Sequence, residues 1–84
     1  MTQEAVEKIV EVRISTDTIA QIHFKKRALL NCYFVKAYDY DEMKAKNFWR
    51  VVEDVNIEEY HATKNILLTR LFNGLSFTKI SSVK

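Results

Sequence analysis

Gly74 is the only glycine among 84 residues, and the chain contains no proline. All its other turns are therefore built from residues that carry a Cβ and keep their backbone N–H. Loops that cradle phosphate on several glycines cannot form. A Walker loop, a Rossmann fingerprint and a hydrolase nucleophile elbow all fall in that class, so the functions they carry are excluded. The length suits one small domain. Such a domain buries only about 60–65% of the surface its unfolded chain exposes, so the core must be efficient. Nearly half the residues are apolar and ten are aromatic, enough for a core without disulfides or a structural metal.

Cys32 is the only cysteine and has no intramolecular partner. A reducing, cytoplasmic setting is the expectation. Met1 to Glu4 is acidic and lacks an apolar signal core, and the longest uninterrupted apolar run is Cys32 to Val35. Neither reads as a targeting or membrane segment, so no membrane partner is expected.

The formal net charge is only +2, but it is unevenly spread. Residues 18–36 carry Lys25, Lys26, Arg27 and Lys36 without an acid, and residues 60–84 carry Lys64, Arg70, Lys79 and Lys84 without one. Asp39, Asp41, Glu42, Glu53, Asp54, Glu58 and Glu59 crowd the stretch between them. If the two basic segments lie side by side, a nearly neutral protein presents a basic face.

No internal repeat, low-complexity tract or linker interrupts the chain. Thr2 is placed to cap a helix over residues 3–12, with Val6, Ile9 and Val10 on one face and acids in its first turn. Alternation of Val10, Val12 and Ile14 leaves a strand over residues 9–15 as the rival reading. From Asp17 the period becomes two. Ala20, Ile22 and Phe24 predict a half-buried strand, and Lys25-Lys26-Arg27 a turn. Leu29 to Tyr38 reads as a long central strand closed by the acidic Asp39–Glu42, and Lys46 to Glu53 as the next strand. Asn56 to Lys64 reads as a loop with one helical turn capped by Asn56. Asn73-Gly74 lies between two strand-like runs, Ile66–Phe72 and Leu75–Ser81, and matches a type I′ hairpin turn. A helix from Asn56 to Phe72, ended by Gly74, is the alternative. The sum is an α+β, mainly β domain: an N-terminal helix and five antiparallel strands, expected to curl into an SH3-like or Sm-like small barrel.

Four segments carry a resemblance: Phe24-Lys25-Lys26-Arg27, Asp39-Tyr40-Asp41-Glu42-Met43-Lys44, Lys46-Asn47-Phe48-Trp49-Arg50, and Arg70-Leu71-Phe72-Asn73-Gly74. Together they resemble a family of small bacterial proteins with no established activity, over residues 17–81. The chain departs from that pattern at Cys32, where the family has glycine. Some members carry a short-chain dehydrogenase label, and the residues test it. Tyr40…Lys44 and Tyr60…Lys64 have the Tyr-x-x-x-Lys spacing, but the glycine-rich cofactor loop is missing and the chain is too short for a Rossmann sheet. No enzyme, cofactor or metal is expected. Cys32, His23 and His61 are too widely spaced for a zinc pattern, and Cys32 sits where a free cysteine acts as a small hydrophobe. Glu53-Asp54 and Glu58-Glu59 are most simply solvated.

Two binding readings remain. In the first, Lys25, Lys26, Arg27, Lys46, Arg50 and Arg70 contact nucleic acid, joined by Lys79, with Tyr33, Tyr38 and Trp49 available to stack bases. Arg50 and Arg70 lie among apolar strand neighbours, where pairing with an acid such as Glu53 is the structural alternative. In the second, Trp49 with Phe48 and Tyr60 forms an exposed patch for a protein partner, or a barrel edge joins copies into a homo-oligomer.

Overall fold

The computed structural model describes residues 1–82. Helix α1 spans Gln3–Thr16, with the Thr2 hydroxyl accepting the Ala5 N–H at 3.3 Å. It runs past the expected end at residue 12 and stops where Asp17 turns left-handed (φ 50°) and closes on the Arg13 and Ile14 carbonyls. The rival strand over 9–15 does not form. Val6 and Val10 are buried, while Val12 is 60% exposed on the outer side of the helix.

Five strands follow: β1 Ala20–Phe24, β2 Leu30–Phe34, β3 Phe48–Glu53, β4 Thr69–Asn73 and β5 Phe77–Ser82. They form one sheet in the order β4-β3-β2-β1-β5, antiparallel throughout. Alternation sends Ala20, Ile22, Cys32, Phe34, Trp49 and Val51 to the face that α1 covers with Val6 and Val10, and these form the core with Phe77. Helix α2 (Tyr40–Ala45) lies between β2 and β3 and sets the Tyr40 ring edge-on to Trp49, centroids 6.3 Å apart. Helix α3 (Ile57–Thr63) packs on β3 from the other side, where Val52 and Tyr60 are buried. No helix among the described residues is long and apolar enough to cross a membrane.

The sheet is strongly curled but open. In a flat sheet β1 and β4 lie three strand spacings apart, about 14 Å. Yet the rings of Phe24 on β1 and Phe72 on β4 have centroids 5.3 Å apart, and Phe24 also meets Phe77 of β5 at 5.5 Å. Aromatic side chains, not a hydrogen-bonded ladder, fill the gap between the two edge strands, so the expected closed barrel is corrected to an open sheet.

The hairpin expectation is also corrected. β4 and β5 do not pair; they are opposite edges of the sheet, joined by a 3₁₀ turn, Gly74–Ser76. Asn73 keeps extended geometry (φ −80°, ψ 124°) and caps that turn through the Leu75 N–H, so no left-handed pair exists there. Nor does the alternative helix reach Phe72: α3 ends at Thr63, and a second 3₁₀ turn, Ile66–Leu68, precedes β4. The expected long strand from Leu29 to Tyr38 is only Leu30–Phe34. Beyond it Tyr38 is 89% exposed, and the chain turns so that Asp39 meets Arg50. The segment read as a closing turn is α2, whose first turn carries Asp41 and Glu42. Asn56 precedes α3 without donating or accepting a capping bond through its side chain.

Candidate nucleic-acid interface

The turn after β1 exposes Lys25, Lys26 and Arg27. Arg27 folds back over the sheet, and its guanidinium carbon lies 5.1 Å from the centroids of both Phe24 and Phe72. Those distances suit cation–π attraction, worth about 0.5–1 kcal/mol per contact at an exposed site. Arg70 sits on the other flank, 5.0 Å from the Phe72 centroid, and its Nη1 contacts Glu53 Oε1 at 2.6 Å. The curl of the sheet creates this arrangement, because it brings β1 and β4 together on one aromatic floor.

Phe24, Lys25, Lys26, Arg27, Phe72 and Ser76 line a groove of about 380 Å³ here. Among the described residues no carboxylate pairs with Lys25, Lys26 or Arg27. An apolar, aromatic floor beside three uncompensated cations suits a ligand that is planar on one part and anionic on another. A larger depression of about 490 Å³ runs along α1 past Ile9, Val12 and Arg13. It has no aromatic lining, and its Arg13 is bonded to Ser82 Oγ at 2.8 Å.

Four of the six expected contact residues converge on the groove or its flank: Lys25, Lys26, Arg27 and Arg70. The other two are corrected. Lys46 lies at the end of α2, 3.4 Å from Glu42. Arg50 projects from the face of β3 opposite Trp49 and Val51, so it cannot reach the groove. Its Nη2 is 2.6 Å from Asp39 Oδ2 and its Nη1 donates to Thr69 Oγ1 at 2.8 Å, with only 16% of the side chain exposed. Both arginines thus take the structural alternative of pairing with an acid, Arg70 with Glu53 and Arg50 with Asp39. Lys79 stands across from His23 on β5, Tyr33 and Tyr38 do not line the groove, and Lys84 lies outside the described residues.

The expected exposed aromatic patch is corrected as well. Trp49 is 1% exposed, its indole N–H donating to Asn47 Oδ1 at 2.7 Å, and Tyr60 is 8% exposed on the inner side of α3. Both are core residues. Sequence reasoning missed Phe24 and Phe72 as the floor: both lie half-buried against the core, and only the curl of the sheet brings them together at its edge. Their signal is local: each lies within three residues of the arginine that stacks on it.

Cys32 is fully buried, and burial with nearby Asp54 and Glu53 pushes its thiol up to about 12. It holds its proton at neutral pH and is no nucleophile. His23 bonds Ser81 Oγ and His61 lies 4.0 Å from Asp17, so neither engages the thiol. Among the described residues no group of three metal-ligating side chains comes together. In the Tyr40/Lys44 and Tyr60/Lys64 pairs each ammonium lies 5.4 Å from the ring centroid one helical turn away. Comparison with protein-family models, curated proteins and solved structures finds no match to this chain.

Proposed function

We propose that this protein is a small, non-catalytic nucleic-acid-binding module that takes single strands in the groove beside the first turn. One observation carries the reading: Arg27 lies over both Phe24 and Phe72 while Lys25 and Lys26 flank it without acidic partners among the described residues. Two or three phosphates along the rim replace bulk counterions with these cations, and a base takes the place of the Arg27 guanidinium on the aromatic floor, freeing that cation for a phosphate. A duplex keeps its bases stacked on each other and gains nothing from that floor, so single strands are preferred.

The architecture supports an oligonucleotide-binding role by analogy only. A curled five-stranded sheet whose end strands are joined by a three-residue 3₁₀ turn is one short step from an SH3-like or Sm-like barrel. A free, buried, protonated cysteine fits work in the reducing cytoplasm of a bacterium, the setting implied by the family resemblance.

Trp49 is buried and would be a poor reporter, so the test uses labelled oligonucleotides and fluorescence anisotropy. Three phosphate contacts at about 0.7 per decade of salt predict affinity falling roughly 15–20-fold between about 50 and 200 mM salt. Absence of binding to single strands at the lower salt, or tighter binding to duplex, would overturn the reading.

A further inference from the structure

We propose that two copies of this chain pair through β4, antiparallel, about a two-fold axis passing through Leu71. The backbone carries the first part of the argument. The Arg50 carbonyl accepts the Val35 N–H at 3.1 Å, so Arg50 turns its backbone groups toward β2. Its cross-strand partner Leu71 therefore turns its N–H and C=O away from β3, toward the open edge. Thr69 and Asn73, two residues to either side, turn the same way by alternation. The Thr69 N–H is already given to the Ile66 carbonyl and the Asn73 carbonyl accepts from Ser76 Oγ at 2.7 Å, so the Leu71 N–H and C=O, the Thr69 carbonyl and the Asn73 N–H are the groups that offer a template to another strand.

The side chains identify the occupant. Leu67, Leu71 and Leu75 are 85%, 40% and 62% exposed, and they are spaced symmetrically about Leu71. In an antiparallel pair centred on that residue Leu71 faces Leu71 of the partner copy and Thr69 faces Asn73, while Leu67 and Leu75 stand in the 3₁₀ turns that end the strand on either side. The edge is complementary to itself, the requirement for an isologous two-fold contact. Charge does not oppose it. Arg70 is the only charged residue of β4, and Glu53 of its own chain already neutralises it at 2.6 Å. The other open edge is guarded: β5 carries the exposed Lys79, and the Met1 amine occupies the carbonyls of Gly74 and Phe77 at its start, at 2.9 and 2.8 Å.

The register makes a sharp test. Only residue 71 meets its own copy, with Cα atoms about 5.5 Å apart in a hydrogen-bonded pair, a separation a disulfide spans. Residue 69, at the start of β4, and its copy lie four residues apart along the ladder, about 13 Å. Under mild oxidation at millimolar protein, Leu71→Cys forms a cross-linked dimer and Thr69→Cys alone does not, while an equal mixture of Thr69→Cys and Asn73→Cys does. Cys32 is buried and takes no part. Sedimentation equilibrium of the unmodified chain gives twice 9.9 kDa at high concentration, and Leu71→Lys, which places a lysine on the edge without touching the core, restores the single-chain mass. A single-chain mass for the unmodified protein at millimolar concentration overturns the proposal. So does cross-linking of Thr69→Cys alone as fast as Leu71→Cys.

Discussion

A Cβ on Gly74 would stand 2.2 Å from Oδ1 of Asn47. That oxygen is fixed: it accepts the Trp49 indole N–H at 2.7 Å, while the amide nitrogen of the same side chain donates to the Met1 carbonyl at 3.3 Å. The Gly74 N–H in turn donates to the Asn47 carbonyl at 2.8 Å. The only glycine of the chain is thus needed for close approach and not for a left-handed turn. Gly74→Ala must either push Asn47 off the indole or break the backbone bond. It is expected to lower stability by about 2–4 kcal/mol, the sum of overpacking and one lost buried hydrogen bond. Urea denaturation measures it, and the Asn47→Gly background checks the cause. There the obstructing side chain is gone and the left-handed backbone at residue 47 (φ 61°) is relieved. Gly74→Ala then costs less than half as much, and equal costs in both backgrounds would refute the contact as the reason.

Two arginines three residues or fewer from Glu53 or Phe72 in sequence have opposite structural weight. Arg50 and Asp39 are 16% and 11% exposed, and Arg50 ties β3 to β4 through Thr69. Arg50→Ala leaves Asp39 without its counter-charge and Thr69 without its donor, at about 2–4 kcal/mol. Arg70 is 45% exposed over Glu53, so Arg70→Ala costs about 1 kcal/mol or less. Parallel urea titrations rank the pair, and an Arg70 loss equal to that of Arg50 would contradict the burial argument.

The sequence carried the strands better than their connections. Period-two alternation located β1 and β3 because one face of each is largely buried, and Thr2 marked α1 because its hydroxyl has a donor to satisfy. Asn73-Gly74 misled for a physical reason: the same pair that favours a type I′ turn also serves an Asx-capped 3₁₀ turn, and only the distant Asn47 decides between them. α2 was hidden because its burial depends on Tyr40 reaching Trp49, a contact no local pattern encodes. The basic turn was legible at Lys25, Lys26 and Arg27. Its aromatic floor was not, since Phe24 and Phe72 meet only when the sheet curls. Arg50 had the same strand context as Arg70, and their separation into core and surface rests on which side of β3 each one faces or borders.

Cys32 sets an alkaline limit on stability. Burial, with Asp54 and Glu53 adding to it, raises the thiol from an ordinary 9.0 to about 12 in the folded protein. Between those values the unfolded chain releases a proton that the folded chain keeps, so rising pH favours unfolding. The stability linked to the protonated thiol is complete below about pH 9 and declines above it by roughly 1 kcal/mol per pH unit. Tyr40, also pushed up to about 12 by burial and by Glu11, Glu7 and Asp41, adds the same trend only above its ordinary 10.0. Urea titrations at about pH 8, 9 and 10 therefore isolate the thiol. Cys32→Ala loses the slope, and an unchanged slope in that variant would locate the effect elsewhere.

The groove separates phosphate contacts from stacking by how each responds to salt. Arg27→Ala removes one cation and the group stacked on Phe24 and Phe72, so affinity for a single-stranded oligonucleotide drops and the slope of log K against log salt shrinks by about 0.7. Phe72→Leu keeps every charge and most of the apolar volume but takes away the ring. Its loss, of the order of 1–3 kcal/mol per stacked base, leaves the salt slope unchanged. Lys46→Ala removes a cation of equal formal charge that lies on α2 against Glu42, outside the groove. It is expected to leave both affinity and slope within about twofold, because a surface pair away from the site contributes little. If Lys46→Ala weakens binding as much as Arg27→Ala, the attraction is diffuse and the groove does not organise it.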